Sequence, residues 1–129
     1  MRLTKSERET VRMRFNGRCA YCGEPLGPKW HADHLEPVVR ETRYEQGRGF
    51  VPTGTLLRPH LDVIENLMPA CIPCNIDKGP ESLESWRAGL QRSLEVLHRN
   101  HPTYRHAKRF GLVVETGATI RFHFEIPAQ

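Results

Sequence analysis

A small α+β domain held together by a metal is the fold this 129-residue sequence predicts. Three observations point to it. Two matched Cys-x2-Cys pairs, Cys19/Cys22 and Cys71/Cys74, lie on well-separated segments. Apolar residues recur at helical spacing through 81–99 and alternate at strand spacing near the C-terminus. Gly and Pro punctuate the stretches between.

The elements follow in order. Residues 4–16 read as a helix, because Thr4 and Glu7 have capping-box spacing and Val11 and Phe15 share a face. Leu3 is placed as a staple residue, and Gly17 ends the helix. Cys19–Gly27 is a tight turn rich in Gly and Pro, and 30–35 reads as a short strand. Residues 38–59 hold several charges with Gly47, Gly49, Pro52 and Gly54, and read as a long loop with at most a short strand or helical turn. A loop of that length with little structure of its own is usually functional.

Residues 61–67 suggest a brief helical turn, and Asn75–Lys78 opens a helix that Gly79 and Pro80 interrupt. The clearest helix is 81–99, where Leu83, Trp86, Leu90, Leu94 and Leu97 form a core-facing stripe. A coiled coil is the lesser reading, since little more than two heptads are present. The tail reads as a β-hairpin over 111–126: a Thr-Gly-Ala turn precedes Ile120, Phe122 and Phe124, which alternate with Arg121, His123 and Glu125. The length fits one domain, residues 1–129, with no internal repeat.

Composition narrows the function. The chain is 38% hydrophobic and carries a net charge of +4, with a pI near 9.1 and a mean hydropathy of −0.57. That is a soluble, globular composition. A polyanionic partner fits the basic balance, although charge alone does not select one. The charged N-terminus lacks the apolar core of a secretory signal, and no apolar run is long enough to span a membrane. The expected compartment is the cytoplasm, where disulfides are disfavoured.

The four cysteines are therefore read as ligands of a structural zinc ion. Two thiolates that flank a tight turn can reach one ion, and two such pairs fill a tetrahedral shell. Disulfides would need an oxidising compartment, and a single redox Cys-x-x-Cys would leave the second pair unexplained. A closed shell of four thiolates has no open position for chemistry, so any reaction belongs to other residues.

Those residues lie around the cysteine pairs: His31-Ala-Asp33-His34-Leu-Glu-Pro37, then Asn66-Leu67, then Asn75-x2-Lys78-Gly79. Each has an ordinary reading when taken alone. Asp33 and His34 could be a surface pair, Asn66 and Asn75 could be caps or turn residues, and Lys78 could be solvated. Phosphodiester hydrolysis, however, needs a base and a hard cation, and neutral imidazole and oxygen ligands suit those roles.

Taken together, Cys19-x2-Cys22, Asp33-His34-x2-Pro37, Asn66-Leu67 and Cys71-x2-Cys74-Asn75-x2-Lys78-Gly79 resemble the HNH, or ββα-metal, nucleases. The resemblance covers residues 17–79. It implies a ββα-metal core and an endonuclease that hydrolyses DNA phosphodiesters; the helix and hairpin after residue 80 lie outside it. His34 would be the general base, with its other nitrogen held by a carbonyl. Asn66 would brace the loop that carries the base. Asp33 and Asn75 would hold the catalytic Mg2+ or Mn2+, with Asn75 where many members have a final His.

Lys78, Arg40 and His31 are candidate contacts to the nucleic acid. His31 is equally open as a third metal contact or as packing. The expected partner is DNA, double-stranded in the first instance. A phage or mobile-element protein is a second candidate partner. The rival functions are a zinc-ribbon module that only binds DNA and an accessory protein of phage packaging.

Overall fold

Thr4 caps the first helix, α1 (Lys5–Arg12), through a complete capping box with Glu7. The chain reverses through left-handed Asn16 and through Gly17 at φ 76°. The computed structural model describes residues 1–127. By contact they group into two compact units, 1–83 with 122–127, and 84–121. No helix among the described residues is long and apolar enough to cross a membrane.

In the first unit, β1 (His31–His34) pairs antiparallel with β4 (Leu67–Ala70), in a register that sets His34 opposite Leu67. Helix α2 (Ile72–Lys78) follows β4 directly. Its first turn accommodates Pro73, and Gly79 at φ 52° ends it. Helix α1 packs on both strands. Arg8 fixes the approach to β1: its guanidinium lies 4.0 Å over the Trp30 ring and donates to the Trp30 carbonyl at 2.8 Å. The buried apolar residues of this unit include Val11, Ala20, Tyr21, Leu26, Trp30, Leu67 and Phe122. That is a modest core for this length of chain, of the size that is often completed by a metal.

Residues 38–59 are not a loop. They form a second antiparallel pair, β2 (Arg40–Glu45) and β3 (Gly49–Leu56). Thr42, Tyr44, Phe50 and Val51 favour extended backbone, and Gly47 and Gly49 supply the positive φ that the tip requires. The hairpin gives no apolar alternation to read because its residues are exposed or half-exposed on both faces.

The second unit also departs from expectation. The stripe over 81–99 divides into α3 (Leu83–Gln91) and α4 (Ser93–Asn100) at Arg92, which leaves the helical region. The Ser93 hydroxyl donates to the Leu90 carbonyl at 2.7 Å, a side-chain bond of the kind that competes with a continuous helix. A further helix, α5 (Pro102–Arg109), begins with Pro102 in its first turn.

The terminal hairpin over 111–126 does not form: 111–122 has no strand, and the intended second arm bonds elsewhere. The Ile120 N–H donates to Gln91 at 2.8 Å, and Gln91 donates to the Ala118 carbonyl at 3.1 Å. Separately, the His123 and Phe124 N–H groups donate to the Tyr21 and Ala20 carbonyls at 2.9 and 2.8 Å. Residues His123–Glu125 form a 3-10 turn and not a strand, so exposure does not alternate there. Phe122 and Phe124 stack at 6.1 Å and both meet the edge of Tyr21.

Candidate functional site

The four cysteine sulfurs lie within 4.8 Å of one another and form a cluster that could hold a metal ion. The first pair sits on a turn closed by the Gly23 N–H to the Cys19 carbonyl at 3.0 Å. Gly23 has φ 79°, and a Cβ there would approach His123 Nδ1 to 3.1 Å, so the position suits glycine alone. The second pair spans the β4–α2 junction, where Cys71 precedes the helix and Cys74 lies in its first turn. A hydrogen bond of 2.8 Å from the Ala20 N–H to the Pro69 carbonyl ties the two knuckles together.

The sulfurs compete for negative charge. A hydrogen bond from Cys74 draws the Cys19 thiol down to about 4, against the opposing effect of burial. Backbone N–H groups of this cluster lower it further. Burial pushes Cys22 up to about 11, and the hydrogen bond to Cys19 pushes Cys74 up as well. Cys19 forms a thiolate readily while Cys22 and Cys74 keep their protons, which is how packed thiols behave until a cation offsets their repulsion. The donor set fits a thiophilic divalent ion.

Beside this cluster, Asp33 and His34 line a cleft of about 440 Å³. Residues 37–40 line it as well, with Gly79 and Pro80 from the end of α2. Asp33 Oδ2 accepts the Tyr21 hydroxyl at 2.6 Å and pairs with Lys78 Nζ at 3.2 Å. Burial, followed by the Asp33 charge, raises the Tyr21 phenol far above its ordinary range, so it stays a donor. Both contacts fall on Oδ2.

Asp62, not a carbonyl, holds His34: Nε2 lies 2.8 Å from Asp62 Oδ1. The other Asp62 oxygen takes the Met1 ammonium at 3.1 Å. The His34 bond, first among several effects, keeps the Asp62 carboxyl below its ordinary 3.8. An ionised carboxylate only accepts, so Nε2 carries the proton, and in that tautomer the lone pair is on Nδ1.

Asn66 closes the chain leaving β1. Its amide donates to the Glu36 and Leu61 carbonyls at 2.9 and 2.8 Å, and its oxygen accepts the Glu36 N–H at 3.0 Å. Its own carbonyl accepts the Leu35 N–H at 2.8 Å. Asn75 is half-buried on α2. Arg40 is exposed at the cleft. His31 is exposed at the start of β1 and is not among the cleft-lining residues.

Lys78 does not stand where a phosphate contact would require. It is 1% exposed, and its ammonium donates to the His34 carbonyl at 3.0 Å besides pairing with Asp33. Buried ammonium groups need such partners, and here they bind α2 to the end of β1.

Sequence reasoning missed Asp62 and Tyr21. Asp62 lies in an unpatterned stretch that two 3-10 turns, Pro59–Leu61 and Ile64–Asn66, bring to His34. Tyr21 carried a weak signal as an aromatic residue enclosed by the first cysteine pair. Compared with protein-family models, curated proteins and solved structures, the chain matches none.

Proposed function

We propose that the chain is a metal-dependent endonuclease of the HNH type, acting on DNA and built around a structural zinc ion. The observation that carries the reading is His34: an imidazole in an open cleft, oriented by a carboxylate, at the end of a strand that adjoins the cysteine cluster. In support, β1, which carries Asp33 and His34, pairs with β4, and α2, which carries Asn75, follows β4 directly.

Zinc suits the cysteines. Sulfurs ~2.3 Å from a tetrahedral zinc lie about 3.8 Å apart, and Cys22 and Cys71 are separated by 3.8 Å. Zinc there joins the turn after α1 to the β4–α2 junction, and so supports the strand that ends in His34.

In the cleft, His34 Nδ1 takes a proton from water while Asp62 holds the ring through Nε2–H. The resulting hydroxide attacks phosphorus, the bond to the 3′ oxygen breaks, and that oxygen takes a proton from solvent. The products carry 5′-phosphate and 3′-hydroxyl ends. Asp33, aimed by Tyr21 and Lys78, and Asn75 would be the oxygen donors for Mg2+ or Mn2+. When bound, that ion stabilises the charge growing on the phosphate. Arg40 stands at the cleft to meet a phosphate oxygen.

A plasmid-nicking assay with and without added Mg2+ or Mn2+ tests the reading. Wild type is expected to nick only with the ion. His34→Ala should lose about 100-fold or more of the rate while keeping duplex affinity and bound zinc. Wild-type protein that binds duplex but never cuts it would establish the binding-module reading instead. Full cleavage by His34→Ala would remove the histidine from the role of base.

A further inference from the structure

We infer that the β2–β3 hairpin is a two-stranded ribbon that lies in the major groove of duplex DNA and positions it over the cleft. The two strands of the hairpin pack mainly on each other and bury neither face in a core. A ribbon with no core to cover has its surface available for a partner.

Its two faces differ. Register pairs Tyr44 with Phe50 and Thr42 with Pro52, so these four share one face. Tyr44 and Phe50 are 68% and 75% exposed, and their rings meet edge to face at 5.6 Å. Both glutamates fall on the other face. There Glu45 binds Arg43 and Arg48, and Glu41 accepts the Thr53 hydroxyl. The aromatic face therefore carries no acid, and the hairpin and its flank hold four arginines, Arg40, Arg43, Arg48 and Arg58, against two glutamates.

Position supplies the second argument. Arg40 is both the first residue of β2 and part of the cleft wall. Val39 also lines the cleft and stands at φ 51°, a left-handed conformation that a β-branched residue adopts only under constraint. The constraint is visible: the Val38 and Val39 carbonyls accept the Arg58 and Leu57 N–H groups at 3.1 and 2.9 Å. The root of the ribbon is thus anchored at the cleft rim.

The major groove admits a two-stranded ribbon, phosphates flank it, and exposed apolar side chains can meet thymine methyl groups there. The inference rests on the nuclease reading for the choice of DNA as polymer, but binding is measurable without cleavage.

Fluorescence anisotropy with a labelled duplex of about 20 base pairs and the matching single strand, without Mg2+ or Mn2+, tests it. The Tyr44→Ala/Phe50→Ala protein should bind duplex about tenfold or more weakly, with an unchanged melting temperature. Thr42→Glu on the same face should weaken binding comparably, whereas Val51→Ala on the opposite face should stay within about twofold. Tighter binding of the single strand by wild type, or unchanged duplex affinity in the double variant, overturns the ribbon. Retained cleavage with unchanged affinity would overturn the ribbon and leave the nuclease standing. Lost affinity in a protein that never cuts would do the reverse.

Discussion

His34 takes its orientation from Asp62, 28 residues away in sequence. In the proposed nuclease Asp62 would position the base, and Asp62→Asn should keep the fold while lowering kcat about 10–100-fold with little change in KM. A change confined to KM would place Asp62 in substrate binding instead. Acid stability provides an independent readout. The folded carboxyl titrates below its ordinary 3.8. Its stabilising contribution is therefore present above that value and is lost as pH falls through the lowered one. The melting-temperature gap between wild type and Asp62→Asn should close below about pH 4, and a gap persisting unchanged far below that range would disprove the linkage. No spacing rule connects Asp62 to His34 in the sequence, because a turn-rich segment with no period brings them together. Asp33, His34 and Asn66 were legible because their neighbours, Pro37, Leu67 and the two Cys pairs, formed a local pattern.

At the scale of elements, Lys78 is the tie between α2 and β1. Its ammonium, buried between Asp33 and the His34 carbonyl, is an interior group that sequence alone reads as a surface cation. Lys78→Met fills the space but leaves a carboxylate and a carbonyl without their donor. It should destabilise the protein by about 3–5 kcal/mol, measured by urea unfolding with metal retained. Stability unchanged with duplex binding weakened would return Lys78 to the nucleic-acid surface. Helices α1 and α2 were readable because caps and terminators are local: Thr4 with Glu7, and Lys78 before Gly79 and Pro80. The β2–β3 hairpin was not, since a ribbon exposed on both faces has no hydrophobic period. The last arm alternated in sequence as a strand does, but which backbone it would pair with is a non-local matter.

For the molecule as a whole, the cysteine cluster matters most to the first unit. Its apolar core is modest, and the knuckles join the turn after α1 to the β4–α2 junction. If zinc fills the cluster, a strong chelator under reducing conditions should remove the cooperative melting of residues 1–83, and added Zn2+ should restore it. Binding of this kind contributes on the order of 10 kcal/mol. Four thiols should become reactive towards a disulfide reagent as the metal leaves. A melting temperature indifferent to chelation, with thiols already reactive beforehand, would exclude a structural metal.

Sequence by itself determined the chemistry available: four thiols in two knuckles, an Asp-His pair between them, an amide just after the second, and the caps of the short helices. These are signals carried over a few residues, where side-chain type and backbone propensity act together. Tertiary structure alone decided that Lys78 is interior, that Asp62 holds His34, that 38–59 is a ribbon, and that the tail bonds to Ala20 and Tyr21 and to α3. Apart from the ribbon, whose strands pair locally but bury neither face, those outcomes turn on satisfying a charge or a backbone hydrogen bond across tens of residues. Such needs are met by whichever partner the fold brings near, and no periodicity announces it.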